Sequence, residues 1–281
     1  MPHISEHLSE YFKRYTQWVV LTGAGVSVAS GIPTYRDVNG SWLRNRPIQH
    51  QEFVRHFSSR QRYWGRSMIG WPGVRDAQPN AMHLALTRFE AAGYADLLIT
   101  QNVDRLHQRA GYRRAVDLHG RLDRVKCLDC GAGYEREYVQ GHLIRLNPQH
   151  HQFAAAARPD GDADLADEDV ANIRVFDCEA CGGTLMPDVV FFGGTIPRER
   201  VQHCETAVAS AQGLLVVGSS LQVYSGYRFC KQAVALGKQL IIINEGKTRA
   251  DDLATLKIQD EALHHLRTAI DLLPNNAKTS D

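Results

Sequence analysis

The sequence predicts an α/β fold: a doubly wound parallel sheet interrupted by a small metal-binding module. Two observations carry this. Four short apolar runs, WVVLT (18–22), ADLLIT (95–100), GLLVVGSS (213–220) and QLIIINEG (239–246), each end in small or polar residues, and helical patterns such as 80–93 and 198–211 lie between them. Strands covered on both faces read as continuous apolar runs, and their alternation with helices specifies parallel strands joined by crossovers. The second observation is a break in that alternation between about 121 and 186, where two C-x-x-C pairs fall.

Taken in order, the elements divide the chain. Residues 1–120 and 187–273 form a discontinuous Rossmann-like unit, and 121–186 form an inserted small zinc-binding module with a mobile acidic loop at about 140–175. Residues 274–281 form a disordered polar tail. The start, MPHISEHLSEYFKRYTQ, lacks the apolar core of a secretory signal, so a cytoplasmic protein is expected. With 281 residues and a net charge of +1, nothing points to bulk binding of nucleic acid or of a membrane surface, and a monomer is expected.

The first strand runs into TGAGVSVASGIPTYRD (22–37). Gly23 and Gly25 match the start of the dinucleotide fingerprint G-x-G-x-x-G, but Val28 stands where its third glycine belongs. Gly31 and Pro33 then end the helix after about two turns. The glycines let backbone approach a pyrophosphate, the helix N-terminus points at it, and Ser27 can cap or line the site. The second strand leads into QNVDRLH. Gln101, Asn102, Asp104 and His107 put four polar groups within seven residues, more than a turn requires. Asn102 or Asp104 also reads as a helix N-cap, and His107 as a packing residue. The third strand ends in Gly218, Ser219 and Ser220, which offer backbone N–H groups and two hydroxyls. Asn244 follows the fourth, where a ribose hydroxyl can be bonded. Ligands of open parallel sheets bind beyond the carboxyl ends of the strands, and all these motifs lie there.

Cys127, Cys130, Cys178 and Cys181 form two knuckles able to present four thiolates to one zinc ion; redox dithiols are the competing reading. With four protein ligands such a zinc is structural. Cys204 and Cys230 read as inert, partly buried thiols. His119, in DLHG, titrates in a range that suits a general base, as do the other twelve histidines. PDVVFFGG (187–194) is either a core strand or a tunnel wall whose open edge pairs with an extended peptide.

The ordered set GAGVSVASGIPTYRD, TQNVDRLH, LHG, two C-x-x-C pairs, PDVVFFG, GSSL and IIIN resembles the sirtuins, NAD-dependent protein lysine deacylases, over residues 12 to 272. The resemblance implies that NAD is cleaved as a cosubstrate, so the loop after the first short helix closes over the nicotinamide end. It implies that Ala24, Ile32, Tyr35 and Arg36 line this region, that Asn102 and Asp104 hold the carboxamide pocket, and that Gln101 contacts the ribose. His119 becomes the general base. Gly218, Ser219 and Asn244, with Ser220, Glu245 and Ala262 beside them, hold the phosphates and the adenosine. For the acyl-lysine peptide it implies Val190, Phe192, Gly193, Gly194, Val223 and Tyr224. Nicotinamide, free lysine and O-acyl-ADP-ribose are the implied products. The stretches 47–72 and 187–229 look like the class II branch, which includes a mitochondrial lipoamidase and deacylase. Tyr63 and Arg66 form Y-x-x-R on one helix face, the pair with which the family's desuccinylases hold an acyl carboxylate, so a non-acetyl acyl group is expected. The chain departs from the family at Gly194, where an acidic residue is usual, and at Ala262, where cysteine is common. Two other functions use the same NAD site: mono-ADP-ribosyl transfer to protein, and non-catalytic NAD sensing.

Overall fold

The computed structural model describes residues 2–37, 41, 43, 47–150, 160–259 and 262–274. Chain order begins with helix α1 (Pro2–Arg14), β1 (Trp18–Thr22) and a 3-10 helix at Ala24–Ser30. Helices α2 (His50–Arg55), α3 (Phe57–Asp76) and α4 (Ala81–Ala91) lead to β2 (Ala95–Thr100), the short α5 (Leu106–Arg109) and β3 (Ala115–Asp117). The middle holds β4 (Gly120–Cys127), β5 (Gly133–Glu135), α6 (Arg136–Leu146), α7 (Asp167–Val170) and β6 (Leu185–Val189). The chain then alternates α8 (Arg198–Ser210), β7 (Gly213–Val217), α9 (Tyr224–Ala235), β8 (Gln239–Ile243), β9 (Leu256–Ile258) and α10 (Ala262–Asp271).

The large sheet has the order β3-β2-β1-β7-β8-β9, and every pairing in it is parallel. All four expected apolar runs are strands, and β1 and β7 are buried along their whole lengths. Core packs on both faces, as a parallel sheet requires. On one face, Val20, Leu98 and Ile241 pack with Leu8 and Phe12 of α1 and with Leu266 of α10. On the other, Val19, Ile99 and Ile242 pack with Cys204 of α8 and with Phe229 and Cys230 of α9. Both thiols are fully buried, and burial pushes each up to about 12, which suits the inert role expected of them.

Two three-residue edge strands, β3 and β9, were not among the expected runs. Connections from β1 lead toward β2 on one side and β7 on the other, so the topological switch lies between β1 and β7. Thr22 stands level with Thr100 and with Val217, which brings the three strand ends to one rim.

The second sheet is antiparallel, in the order β5-β4-β6. Its core is built from two stretches of chain. Val125, Leu143, Ile173 and Leu185 pack with Phe53, Tyr63, Trp64 and Met68 of α2 and α3, which the sequence reading assigned to the larger unit. Of the expected mobile loop 140–175, residues 140–146 continue α6, Asp162, Ala163, Val170 and Ile173 are buried, and 151–159 lie outside the described residues. The expected tail from 275 onward lies outside them as well. Among the described residues no helix is long and apolar enough to cross a membrane.

Candidate active site

The rim between β1 and β7 is closed by backbone. Gly25 N–H donates to the Gly218 carbonyl at 2.9 Å and Gly23 N–H to the Val217 carbonyl at 3.3 Å. A Cβ on Gly23 would stand 2.7 Å from Ser219 Cβ, and one on Gly25 would stand 2.9 Å from the Gly218 oxygen. These glycines are therefore required by the approach of two strand ends to each other, in addition to any phosphate. Gly218 itself has φ of +61°, where glycine is favoured.

A polar network spans this rim. Asn102 Nδ2 donates to the Gly23 carbonyl (3.1 Å) and to Ser27 Oγ (3.1 Å), and Ser27 Oγ donates to Asp104 Oδ2 (2.7 Å). Asp104 Oδ1 accepts the N–H of Leu106 at 2.9 Å, so this buried carboxylate also caps the turn that opens α5. Burial raises its pKa, against the lowering effect of those two donors. Gln101 Nε2 donates to Ser219 Oγ at 2.7 Å and to the Thr22 carbonyl at 3.2 Å. His107 is buried and pairs through Nε2 with Thr22 Oγ1 at 2.9 Å, the packing role expected of it.

His119 follows β3 and sits above this network. Its Nδ1 lies 3.0 Å from the Gln101 carbonyl, and its Nε2 lies 2.8 Å from Ser225 Oγ. A carbonyl only accepts, so Nδ1 carries the proton and Nε2 is the basic nitrogen, receiving the Ser225 hydroxyl. Desolvation lowers its pKa to about 4, against the raising effect of the Gln101 carbonyl and with a smaller push from Arg200. The imidazole is thus neutral at physiological pH with its lone pair toward Ser225. Nothing in the sequence marks Ser225: YSGY (224–227) reads as an ordinary helix start.

The remaining candidate residues divide. Ile32 is buried against Trp71, Val74, Leu106 and Leu122, beside the network. Ala24 opens the 3-10 helix, and the Tyr35 ring stands edge-on to Phe192 at 6.0 Å. The Arg36 carbonyl accepts Thr34 Oγ1 at 2.8 Å. On the adenosine side, the Ser220 carbonyl accepts the Arg249 N–H, Asn244 bonds the Gly246 carbonyl of its own turn at 2.9 Å, and Glu245 is exposed. Ala262 begins α10.

Val190 gives its N–H to the His119 carbonyl at 2.7 Å, which ties the run after β6 to the base. Phe192 pairs with the second stretch instead: its carbonyl accepts His50 N–H at 2.8 Å in a parallel bridge to Gln49. Gly193 and Gly194 form a tight turn, in which a Cβ on Gly194 would stand 2.9 Å from the Phe191 oxygen, so an acidic side chain there would crowd this turn. Val223 and Tyr224 are exposed at the start of α9.

Tyr63 and Arg66 lie on one helix, α3. Tyr63 is buried against Phe53, Trp64 and Phe191. Arg66 donates to the Leu165 carbonyl at 2.7 Å. Arg136, fully buried between the Trp64 and Trp71 rings, also acts on the Tyr63 hydroxyl, whose pKa burial raises.

The sulfurs of Cys127, Cys130, Cys178 and Cys181 all lie within 4.8 Å of one another, with Cys127–Cys181 at 3.6 Å and Cys130–Cys178 at 3.7 Å. A Zn–S bond of about 2.3 Å in tetrahedral geometry places sulfurs about 3.8 Å apart. The set therefore fits a structural zinc and is too wide for disulfides.

Fold and site together define a doubly wound α/β protein with a nucleotide-type crevice at its switch point and a four-cysteine metal module. The chain belongs to the Sir2 family, whose model matches residues 23–225. It is 48% identical to NAD-dependent protein deacetylase 2 of Bradyrhizobium diazoefficiens over 92% of this chain and 95% of that one. It is 53% identical to an NAD-dependent protein deacetylase of Bordetella bronchiseptica over 87% and 90% of the two chains. A solved complex of Sir2 with a p53 peptide and NAD+ superimposes with a TM-score of 0.75 at 28% identity, covering 95% of this chain and 97% of that one.

Proposed function

We propose that the protein is an NAD-dependent protein-lysine deacetylase in which His119 is the general base. The observation that carries this is the neutral imidazole with its Nδ1–H held on the Gln101 carbonyl and its Nε2 basic, tied through Gln101 to Ser219 at the strand-end rim. Bound NAD supplies an electrophilic ribose carbon that the acyl oxygen attacks as nicotinamide leaves. His119 Nε2 then takes a proton from a ribose hydroxyl, which frees that oxygen to attack the acyl carbon. Asn102, Asp104 and Ser27 form the carboxamide pocket, and Gly218, Ser219 and Asn244 face the phosphates and adenosine. Val190 and the Gly193–Gly194 turn on one side, and Val223 and Tyr224 on the other, flank the peptide. Closure of the segment carrying Tyr35 and Arg36 keeps water from the cationic intermediate.

The finer reading is a class II enzyme, cytoplasmic and monomeric, that favours acyl groups other than acetyl. Burial of Tyr63 against Phe191, next to Val190, supports an acyl-side role for Tyr63. The Nη2 bond of Arg66 to the Leu165 carbonyl fixes the guanidinium and occupies one N–H of a fork whose donors suit an acyl carboxylate. The test is mass spectrometry of the protein with NAD and peptides carrying acetyl-, succinyl-, methylglutaryl-, lipoyl- and decanoyl-lysine. O-acyl-ADP-ribose appears with at least the acetyl peptide, and its yield across the series ranks the acyl groups. Nicotinamide release with a mass gain on protein and no deacylated peptide would overturn the deacetylase reading.

A further inference from the structure

The reading of His119 as base leaves one hydroxyl unexplained. Ser225 lies in the first turn of α9, half-buried, and its Oγ is 2.8 Å from the basic nitrogen of His119. Since Nδ1 is committed to the Gln101 carbonyl, Ser225 donates its proton to the lone pair that must receive the substrate proton. A hydroxyl donates one hydrogen bond and keeps two lone pairs, so Ser225 Oγ, half-buried, retains the capacity to accept a further one.

Its position is fixed from a second direction. Gly226, the next residue, packs so closely on Gln101 that a Cβ there would stand 2.7 Å from Gln101 Oε1. Gln101 holds His119, His119 holds Ser225, and the chain of Ser225 packs back on Gln101. This closed triangle fixes three groups without a further element. The twelve-residue α9 also directs the positive end of its dipole at Ser225, which favours negative charge on Oγ.

We propose that Ser225 relays the ribose proton to His119. The ribose O–H bond breaks and a new O–H bond forms at Ser225 Oγ. In the same step the original Ser225 O–H bond breaks and an N–H bond forms at His119 Nε2. The ribose oxygen keeps its electron pair for attack on the acyl carbon, the imidazole becomes imidazolium, and Ser225 ends as a neutral hydroxyl. No heavy atom of the triangle has to move.

This relay rests on the deacetylase reading, so the experiment separates the two. Wild type, Ser225→Ala and Ser225→Thr are compared on an acetyl-lysine peptide with NAD in two assays. One follows deacetylation. The other follows exchange of labelled nicotinamide, which reports the steps before the base acts. The relay predicts that Ser225→Ala slows deacetylation by at least about tenfold, in the range of a lost acid–base contribution, while exchange stays near the wild-type rate. Ser225→Thr, which keeps the hydroxyl, restores most of the rate. A Ser225→Ala enzyme as fast as wild type overturns the relay, and so does parallel loss of exchange and deacetylation, which would make Ser225 a structural residue. A wild-type protein that leaves peptide and NAD intact in both assays overturns the underlying reading, and the relay with it.

Discussion

At the scale of single residues, the site depends on contacts that leave no room for a side chain. Gly226 is the clearest case. A methyl group there meets the carboxamide of Gln101, and the amide must then leave Ser219 Oγ, which it holds at 2.7 Å. Overpacking of this kind costs about 1–3 kcal/mol, and here it falls on a residue whose carbonyl also fixes the tautomer of His119. Gly226→Ala is therefore expected to fold, with a small loss of thermal stability, and to lose about tenfold or more in deacetylation. Activity close to wild type would show that Gln101 does not position the base. The polar members of this constellation were readable because GSS and QNVD follow apolar runs, where a core has no use for them. Ser225 and Gly226 were not readable, because their partners are more than a hundred positions away and YSGY has no unusual composition. The reason for Gly23 and Gly25 was only half readable: spacing suggests a phosphate, whereas the backbone of Gly218 is what first excludes a Cβ.

At the scale of elements, the four-cysteine module is joined to the catalytic base through one strand. β4 starts at Gly120, directly after His119, and ends at Cys127, the first zinc ligand. β6 pairs along it, and Val190 beyond β6 bonds the His119 carbonyl. Removing the metal releases the Cys127 end of the β4–β6 ladder, since four thiolates within 4.8 Å repel one another without a cation. Strong chelation is expected to abolish activity together with part of the antiparallel β signal in circular dichroism, and zinc to restore both in a reducing buffer. An apo protein with unchanged spectrum and proteolytic resistance would mean that the packed core carries the module alone. The cysteine ligands were legible because C-x-x-C spacing is dictated by coordination geometry. The partnership of α2 and α3 with this module was not, because their apolar residues declare a buried face but not which sheet covers it. The same limit applies to Arg136. As a charged residue at the start of a helix it reads as surface, yet it is fully buried between two indoles, with Nη2 bonded to Ser67.

At the scale of the whole molecule, the parallel sheet was legible in its centre and not at its margins. The central strands are apolar on both faces because helices cover both, and that leaves a continuous run in the sequence. β3 and β9 have only three residues each and partly exposed side chains, so nothing marks them. The packing that seals the sheet also buries imidazoles, and this gives the fold a defined response to acid. His83 is fully buried in α4, with Nδ1 accepting the Asn80 N–H, and burial lowers its pKa to about 4. Its neighbour His107, with the ring centres 4.8 Å apart, is driven well below the ordinary value, first by burial and then by His83. His119 is lowered to about 4 as well. In the unfolded chain each takes up its proton near pH 6.5. Between about 6.5 and 4 the unfolded state therefore binds more protons than the native state, so stability is complete above that window and falls as pH falls through it. Asp104 and Asp117, whose pKa values burial raises, oppose this trend by binding protons earlier in the native state. For His83 alone the linkage is about 2 kcal/mol at pH 5 and approaches about 3 kcal/mol at pH 4. Urea unfolding at pH 7.5 and pH 5 is expected to show a fall in midpoint for the wild type and a smaller fall for His83→Gln, whose amide has no proton to gain. The loss at pH 7.5 from the substitution itself cancels in that comparison, because only the difference between the two pH values is read. Equal falls in the two proteins would show that His83 titrates alike in the folded and unfolded chains, and that acid acts on the fold through other groups.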